Sequence, residues 1–120
     1  MGASAAARAD TPPPGNPELG KAVYAACLGC HSIDEDDVGP RHRGVVGRTA
    51  GTVPGFAYSA ALRNSGLVWD EATLDRWLAD PQALVPGSRM FFALANASDR
   101  RNVIAYLRTL TVKDATARGR

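Results

Sequence analysis

Two thiols and an imidazole fall within five residues, Cys27-Leu28-Gly29-Cys30-His31. Cys-x-x-Cys-His is the attachment signature of a c-type haem. At this spacing each thiol can form a thioether to one vinyl group of a single porphyrin, and the histidine can supply one axial nitrogen to the iron. Cys-x-x-Cys alone also serves zinc sites and thioredoxin-like redox sites. Zinc would need two more ligands, and the chain has only these two cysteines and one other histidine, His42. A thioredoxin-like site needs a βαβ context, and no strand pattern surrounds the motif. On these five residues alone, an incidental pair of free or disulfide-bonded thiols stays open beside haem attachment.

A low-spin c-type haem takes a second axial ligand, usually Met or His. Of the two methionines, Met1 sits in a tail, and Met90 follows the turn Pro86-Gly87. Met90 is therefore the candidate, with a core-filling thioether as the alternative. His42 is the rival, able in principle to complete a bis-His pair; a surface-turned or hydrogen-bonded His42 is the expectation instead. Past the motif, Gly39-Pro40 punctuates the loop. The Pro40 carbonyl is suited to accept from Nδ1–H of an axial histidine, fixing the ring and strengthening Nε2 as a ligand. The run Asp34-Glu35-Asp36-Asp37 reads as a solvated turn.

The elements that must position these groups are short. The chain has 120 residues, enough for one domain, with eight prolines and twelve glycines to break it into turns. Its apolar fraction of 45% is ordinary. The core is small, and a flat buried cofactor would add apolar contacts to it. The net charge of +2 is too weak to argue for nucleic acid, and no stretch has the length of a transmembrane helix. A haem with both propionates ionised would bring the holoprotein to about +1 (ferric) or about 0 (ferrous).

Residues 1–15 lack periodicity and end in a stiff proline-rich linker. Ala7-Arg8-Ala9 looks like the end of a signal peptide. This gives the expectation of an upstream export signal cut after Ala9 and a periplasmic protein, with a plain alanine-rich tail as the alternative. Asn16-Pro17-Glu18 reads as a helix start, and Leu19, Val23, Tyr24 and Cys27 recur at helical spacing. Gly20 allows close approach of another helix. A short helix is predicted over Ser59–Arg63. The next, Glu71–Ala79, is capped by Asp70, has inner face Leu74, Trp77 and Leu78, and ends at Asp80-Pro81. Residues 82–97 show no periodicity. A last helix is predicted with Ser98 as cap and Val103, Ile104, Tyr106, Leu107 and Leu110 as its apolar face. The reading is all-α, with a domain over 16–113 and tails at 1–15 and 114–120. Loops this long and irregular need something to hold them.

Over about residues 16–112 the chain resembles class I cytochrome c, the mitochondrial type and its bacterial relatives. Beyond Cys27-Leu28-Gly29-Cys30-His31, the resemblance rests on Gly39-Pro40, Gly47-Arg48, Pro54-Gly55-Phe56-Ala57-Tyr58-Ser59, Trp69, Pro86-Gly87-Ser88-Arg89-Met90 and Ile104-Ala105-Tyr106-Leu107. It implies the cytochrome c fold, with N- and C-terminal helices packed crosswise near Gly20 and Tyr24, and short helices and loops wrapped round one haem. It implies haem c bound through Cys27 and Cys30, with His31 and Met90 as axial ligands. Arg48 would give a charged contact to the propionates, and Tyr58, Ser59 and Trp69 neutral donors; Tyr58 and Trp69 as plain core aromatics are the alternative.

Several positions depart from the family. His42 stands where relatives carry a haem-packing leucine. Trp77 stands for the tyrosine beside the axial methionine, and Leu62 for a frequent asparagine, so the pocket should be drier. The stretch from Tyr24 to Cys27 and the loop from His31 to Gly39 are shorter than usual, and the fold is expected to absorb both changes. Only two lysines are present, Lys21 and Lys113, and Gln82-Ala83-Leu84-Val85 is neutral where relatives carry lysines. Of the ring of cations that relatives use for docking, Arg89 survives most clearly.

The expected function is a single-haem electron carrier, not an enzyme. It would meet its donor and acceptor proteins transiently as a monomer, without nucleic acid or membrane insertion. A fixed electron-transfer subunit of a dehydrogenase or oxidase complex, and a haem enzyme or gas sensor with a labile Met90, are the rival readings.

Overall fold

The structure, a computed structural model, describes residues 15–112. The proposed tails, the Ala7–Ala9 signal remnant and Lys113 lie almost wholly outside the described residues. Helix α1 spans Pro17–Tyr24 and continues as a 3₁₀ turn, Ala25–Cys27. Helix α2 is Ala60–Arg63, α3 is Glu71–Ala79, α4 is Pro81–Leu84 and α5 is Ala97–Thr109. Among the described residues the only β-pairing is an isolated bridge between Thr49 and Val68.

Local chemistry explains the helix starts. The Asn16 side chain accepts from the N–H groups of Glu18 and Leu19 at 2.8 and 3.1 Å, with proline first in the helix. Asp70 and Thr73 form a reciprocal capping box on α3, whose buried residues are Leu74, Trp77 and Leu78, as predicted. Ser59 caps α2 through Leu62 N–H.

Three expectations are corrected. The cap of α5 is Asn96, which accepts from Asp99 N–H at 2.9 Å, while Ser98 lies inside the helix. Both are good caps; choosing Asn96 puts the acid Asp99 at the third helical position, next to the positive helix end. Asp80-Pro81 ends α3 but also starts α4, because the Asp80 side chain accepts from Ala83 N–H at 3.2 Å. One turn is too short to carry a period, so it was invisible in the pattern of residues 82–97. Leu19, placed on the inner face of α1 by spacing, is exposed; the buried residues there are Gly20 and Tyr24.

The main helix pairing is α1 on α5. A Cβ on Gly20 would fall 1.8 Å from the Asn102 carbonyl oxygen, so the two backbones touch there. Asn16 N–H donates to Asn102 Oδ1 at 2.9 Å beside the same contact. Tyr24, Trp69, Leu74, Trp77, Leu78, Val103, Ile104 and Leu107 belong to one buried cluster. Arg100 pairs with Asp75 at 2.8 Å, and Arg108 with Glu71, tying α5 to α3. The stretch before Cys27 forms the 3₁₀ turn.

Candidate functional site

The helix pair and the loops between them enclose a cavity of about 490 Å³. Cys27, Cys30, His31 and Met90 all line it, and Tyr58, Leu62, Leu74, Trp77, Leu78, Val103 and Leu107 supply much of its wall. The 3₁₀ turn ends at Cys27, and His31 N–H donates to the Cys27 carbonyl at 2.9 Å, closing the next turn so that Cys27, Cys30 and His31 share one cavity while Leu28 faces out.

His31 Nδ1 donates to the Pro40 carbonyl oxygen at 2.8 Å. That fixes the proton on Nδ1 and leaves the Nε2 lone pair for a metal. Burial lowers the His31 pKa, opposed by the Pro40 contact, so the imidazole is kept in the neutral form that ligates. The loop is shaped for this contact: a Cβ on Gly39 would lie 2.1 Å from His31 Cε1. Two of the four acids read as solvated anchor that loop. Asp36 pairs with the Arg41 guanidinium at 3.1 Å and accepts from its backbone N–H at 3.0 Å. Asp34 pairs with Arg43.

His42 is not turned to the surface. Its ring stacks on His31 with centroids 4.1 Å apart and 21° between planes, and its Nδ1 hydrogen-bonds Tyr24 OH at 2.8 Å. The hydrogen-bonded reading is the one observed. Burial first, then the neighbouring His31 and Arg48, push its pKa down to about 3, while burial pushes Tyr24 up to about 12. Both groups are therefore neutral across the physiological range.

Arg48 lines the cavity and donates to the carbonyls of Arg41 and Arg43 at 2.8 and 2.7 Å. A guanidinium has five N–H donors, so others remain. Tyr58 OH accepts from Val53 N–H at 2.9 Å, and Ser59 Oγ from Leu62 N–H at 3.1 Å. Each hydroxyl therefore keeps its own hydrogen to donate. Trp69 also lines the cavity, held beside Arg48 by Trp69 N–H to the Arg48 carbonyl at 2.9 Å, with its ring 5.3 Å from that of Trp77. Leu62 and Trp77 are both in the wall. The residues sequence reading missed are Tyr24, as the partner of His42, and Gln82, whose amide reaches the Met90 segment. A histidine in place of an apolar residue was the available signal for the first; none existed for the second.

The donor set suits haem c. Two thiols at vinyl spacing, one oriented imidazole, one thioether and a deep apolar wall share one cavity, and donors for carboxylates share it too. Helices and loops folded round such a pocket define a c-type cytochrome.

The sequence pattern of the family described as Cytochrome c matches residues 17–111. Cytochrome c2 of Rhodomicrobium vannielii is 50% identical over 99 residues, covering 79% of this chain and 79% of that protein. Cytochrome c2 of Rhodoblastus acidophilus is 47% identical over 97 residues, covering 78% of this chain and 91% of that protein. Among solved structures, cytochrome cH from Methylobacterium extorquens superposes with a TM-score of 0.77 at 43% identity, covering 79% of this chain and 99% of that one. The chain belongs to the cytochrome c family. It is an electron-transfer protein, not an enzyme, its cofactor is covalently bound haem c, and it works with redox partners.

Proposed function

We propose that His31 Nε2 and Met90 Sδ are the axial ligands of a haem held through Cys27 and Cys30, and that the protein shuttles single electrons as a periplasmic monomer between transiently bound partners. The observation that carries this reading is the single cavity lined by Cys27, Cys30, His31 and Met90 together. When bound, the haem supplies reversible one-electron chemistry between Fe(II) and Fe(III). The chain's own residues set its conditions. Pro40 holds the proton on Nδ1 of His31, so the ligand atom is always available. The apolar wall, with Leu62 and Trp77 in it, keeps water out and disfavours the extra charge of the ferric state, which raises the potential. Arg48, Tyr58, Ser59 and Trp69, which line the same cavity, would receive the propionates, since a buried carboxylate is costly unpaired.

Spectra of the purified holoprotein in both redox states test the ligand set. A far-red ferric band that reports iron–sulfur bonding is expected, with no carbon monoxide binding to the reduced form. Its absence, with ready carbon monoxide binding, would move the protein to the sensor or enzyme reading. Elution alone on purification separates a free shuttle from a complex subunit, and fractionation of the native host tests the periplasmic assignment.

His42 is expected not to be a ligand. Its ring stacks on the ring of His31 itself, so the two imidazoles stand side by side rather than facing one another across the cavity. His42→Leu should leave the low-spin spectrum and the far-red band in place; loss of either would show His42 on the iron.

The mouth of the cavity is apolar. Phe91 is 77% exposed, Val38 74% and Phe92 42%, and all three line the cavity with Arg89. Docking driven by such a rim responds weakly to screening. The second-order rate with the native partner should change by less than about threefold between low and physiological salt. A drop of an order of magnitude would show that charge dominates.

A further inference from the structure

The run Gln82-Ala83-Leu84-Val85 is more than a neutral replacement for cations. Gln82 sits in α4, the single turn between α3 and the loop that presents Met90. The two hydrogens of its Nε2 serve three acceptors, one hydrogen being shared: the Ser88 carbonyl at 2.8 Å, Ser88 Oγ at 3.0 Å and the Met90 carbonyl at 3.0 Å. Its Oε1 accepts from Gly87 N–H at 3.3 Å. One amide therefore holds three residues of the five-residue run Pro86–Met90. Ser88 is itself buried, and its N–H donates to the Val85 carbonyl at 3.1 Å, which closes the turn.

Little else ties down the chain that follows. Among the described residues, Arg89 to Ala93 donate no backbone–backbone hydrogen bond; the next is from Leu94 N–H to the Leu78 carbonyl at 2.8 Å. The Arg89 guanidinium reaches the Ala57 carbonyl at 2.9 Å from an exposed position. Phe91, immediately after Met90, is largely exposed. The half-buried Gln82 contacts are thus the main polar restraint on the backbone of the proposed sixth ligand. Gln82 does not line the cavity and does not touch the cofactor space.

We propose that Gln82 is the positioning residue for Met90: its amide locks the ligand segment against the body of the protein and sets how readily Met90 can lift off the iron. This rests on the reading of Met90 as the axial ligand. A thioether is a weak ligand, so its occupancy depends on how little freedom its backbone has once released. Removing the amide costs hydrogen bonds only in the closed state, because in the opened state water satisfies the same carbonyls.

The test uses ferric holoprotein and imidazole, a small ligand that must displace Met90 to bind. Gln82→Ala removes the amide, and the milder Gln82→Met keeps the length and the packing. Each should bind imidazole about tenfold more tightly than wild type, the change expected from losing one or two net hydrogen bonds. Without imidazole, each should retain the far-red band at neutral pH. Asp70→Ala, which removes the cap at the end of α3 opposite the junction with α4, should lower the melting temperature without tightening imidazole binding. Affinities within twofold of wild type for both Gln82 variants would overturn the proposal, as would equal tightening in Asp70→Ala, which would mark the effect as general destabilisation. A wild-type ferric protein with no far-red band would instead defeat the Met90 reading, and the inference with it.

Discussion

Met90→Ala is expected to abolish the far-red ferric band, to lower the midpoint potential by on the order of 100 mV or more, and to let carbon monoxide bind the reduced protein. Met90 is one of two methionines in the chain, and it lines the same cavity as Cys27, Cys30 and His31. Thioether sulfur is soft and favours the ferrous state, so its loss favours the ferric one. His42 cannot take its place, because it is stacked on His31 and hydrogen-bonded to Tyr24. The haem should stay attached, since Cys27 and Cys30 are untouched. Optical spectra and a redox titration check the result. An unchanged far-red band in Met90→Ala would remove Met90 from the iron.

Gly20→Val is expected to destabilise the fold by about 3 kcal/mol or more, the upper end of overpacking costs. The first added carbon would already lie 1.8 Å from the Asn102 carbonyl oxygen and 2.9 Å from Tyr106 Cβ. The obstacle at 1.8 Å is backbone inside α5, so no rotamer change relieves it, and α1 must move off α5. That movement also strains the Asn16–Asn102 contact at 2.9 Å and the packing of Tyr24 on Tyr106, whose rings are 5.2 Å apart. A fall in melting temperature of roughly 12 °C or more follows for a domain of this size. Gly29→Ala is the control. A Cβ there meets nothing within 4 Å, so the melting temperature should hold. Equal melting temperatures for Gly20→Val and wild type would show that the helices do not meet at Gly20.

The Gly20 prediction combines a residue that sequence reading had singled out with a neighbour, Asn102, that it could not name. The haem motif, the Pro40 acceptor, the eligible methionine and most helix starts are local patterns. They depend on residue type and spacing over a few positions, and those are legible along the chain. The Asp70 cap of α3 and the Asn16-Pro17-Glu18 start of α1 are of this kind. The cap at Asn96 was missed only because two good caps stand two residues apart.

What escaped depended on which residues meet from afar. Leu19 had the right spacing to be inside, but the glycine beside it brings the α5 backbone so close that the contact is made there. His42 had an unusual identity and no visible partner until folding set it between Tyr24 and His31. Gln82 reads as a bland polar residue, and only the return of the chain at Ser88 and Met90 gives its amide an occupation.

The sequence by itself determined the cofactor, the class of protein and the candidate ligands, because covalent haem attachment needs a fixed local order of thiol and imidazole. Tertiary structure alone decided what is set against those candidate ligands: His42 stacked on His31, and the Gln82 amide bonded to the segment that carries Met90. Hydrogen bonds and ring stacking require distances of a few ångströms, and separation along the chain does not fix those distances.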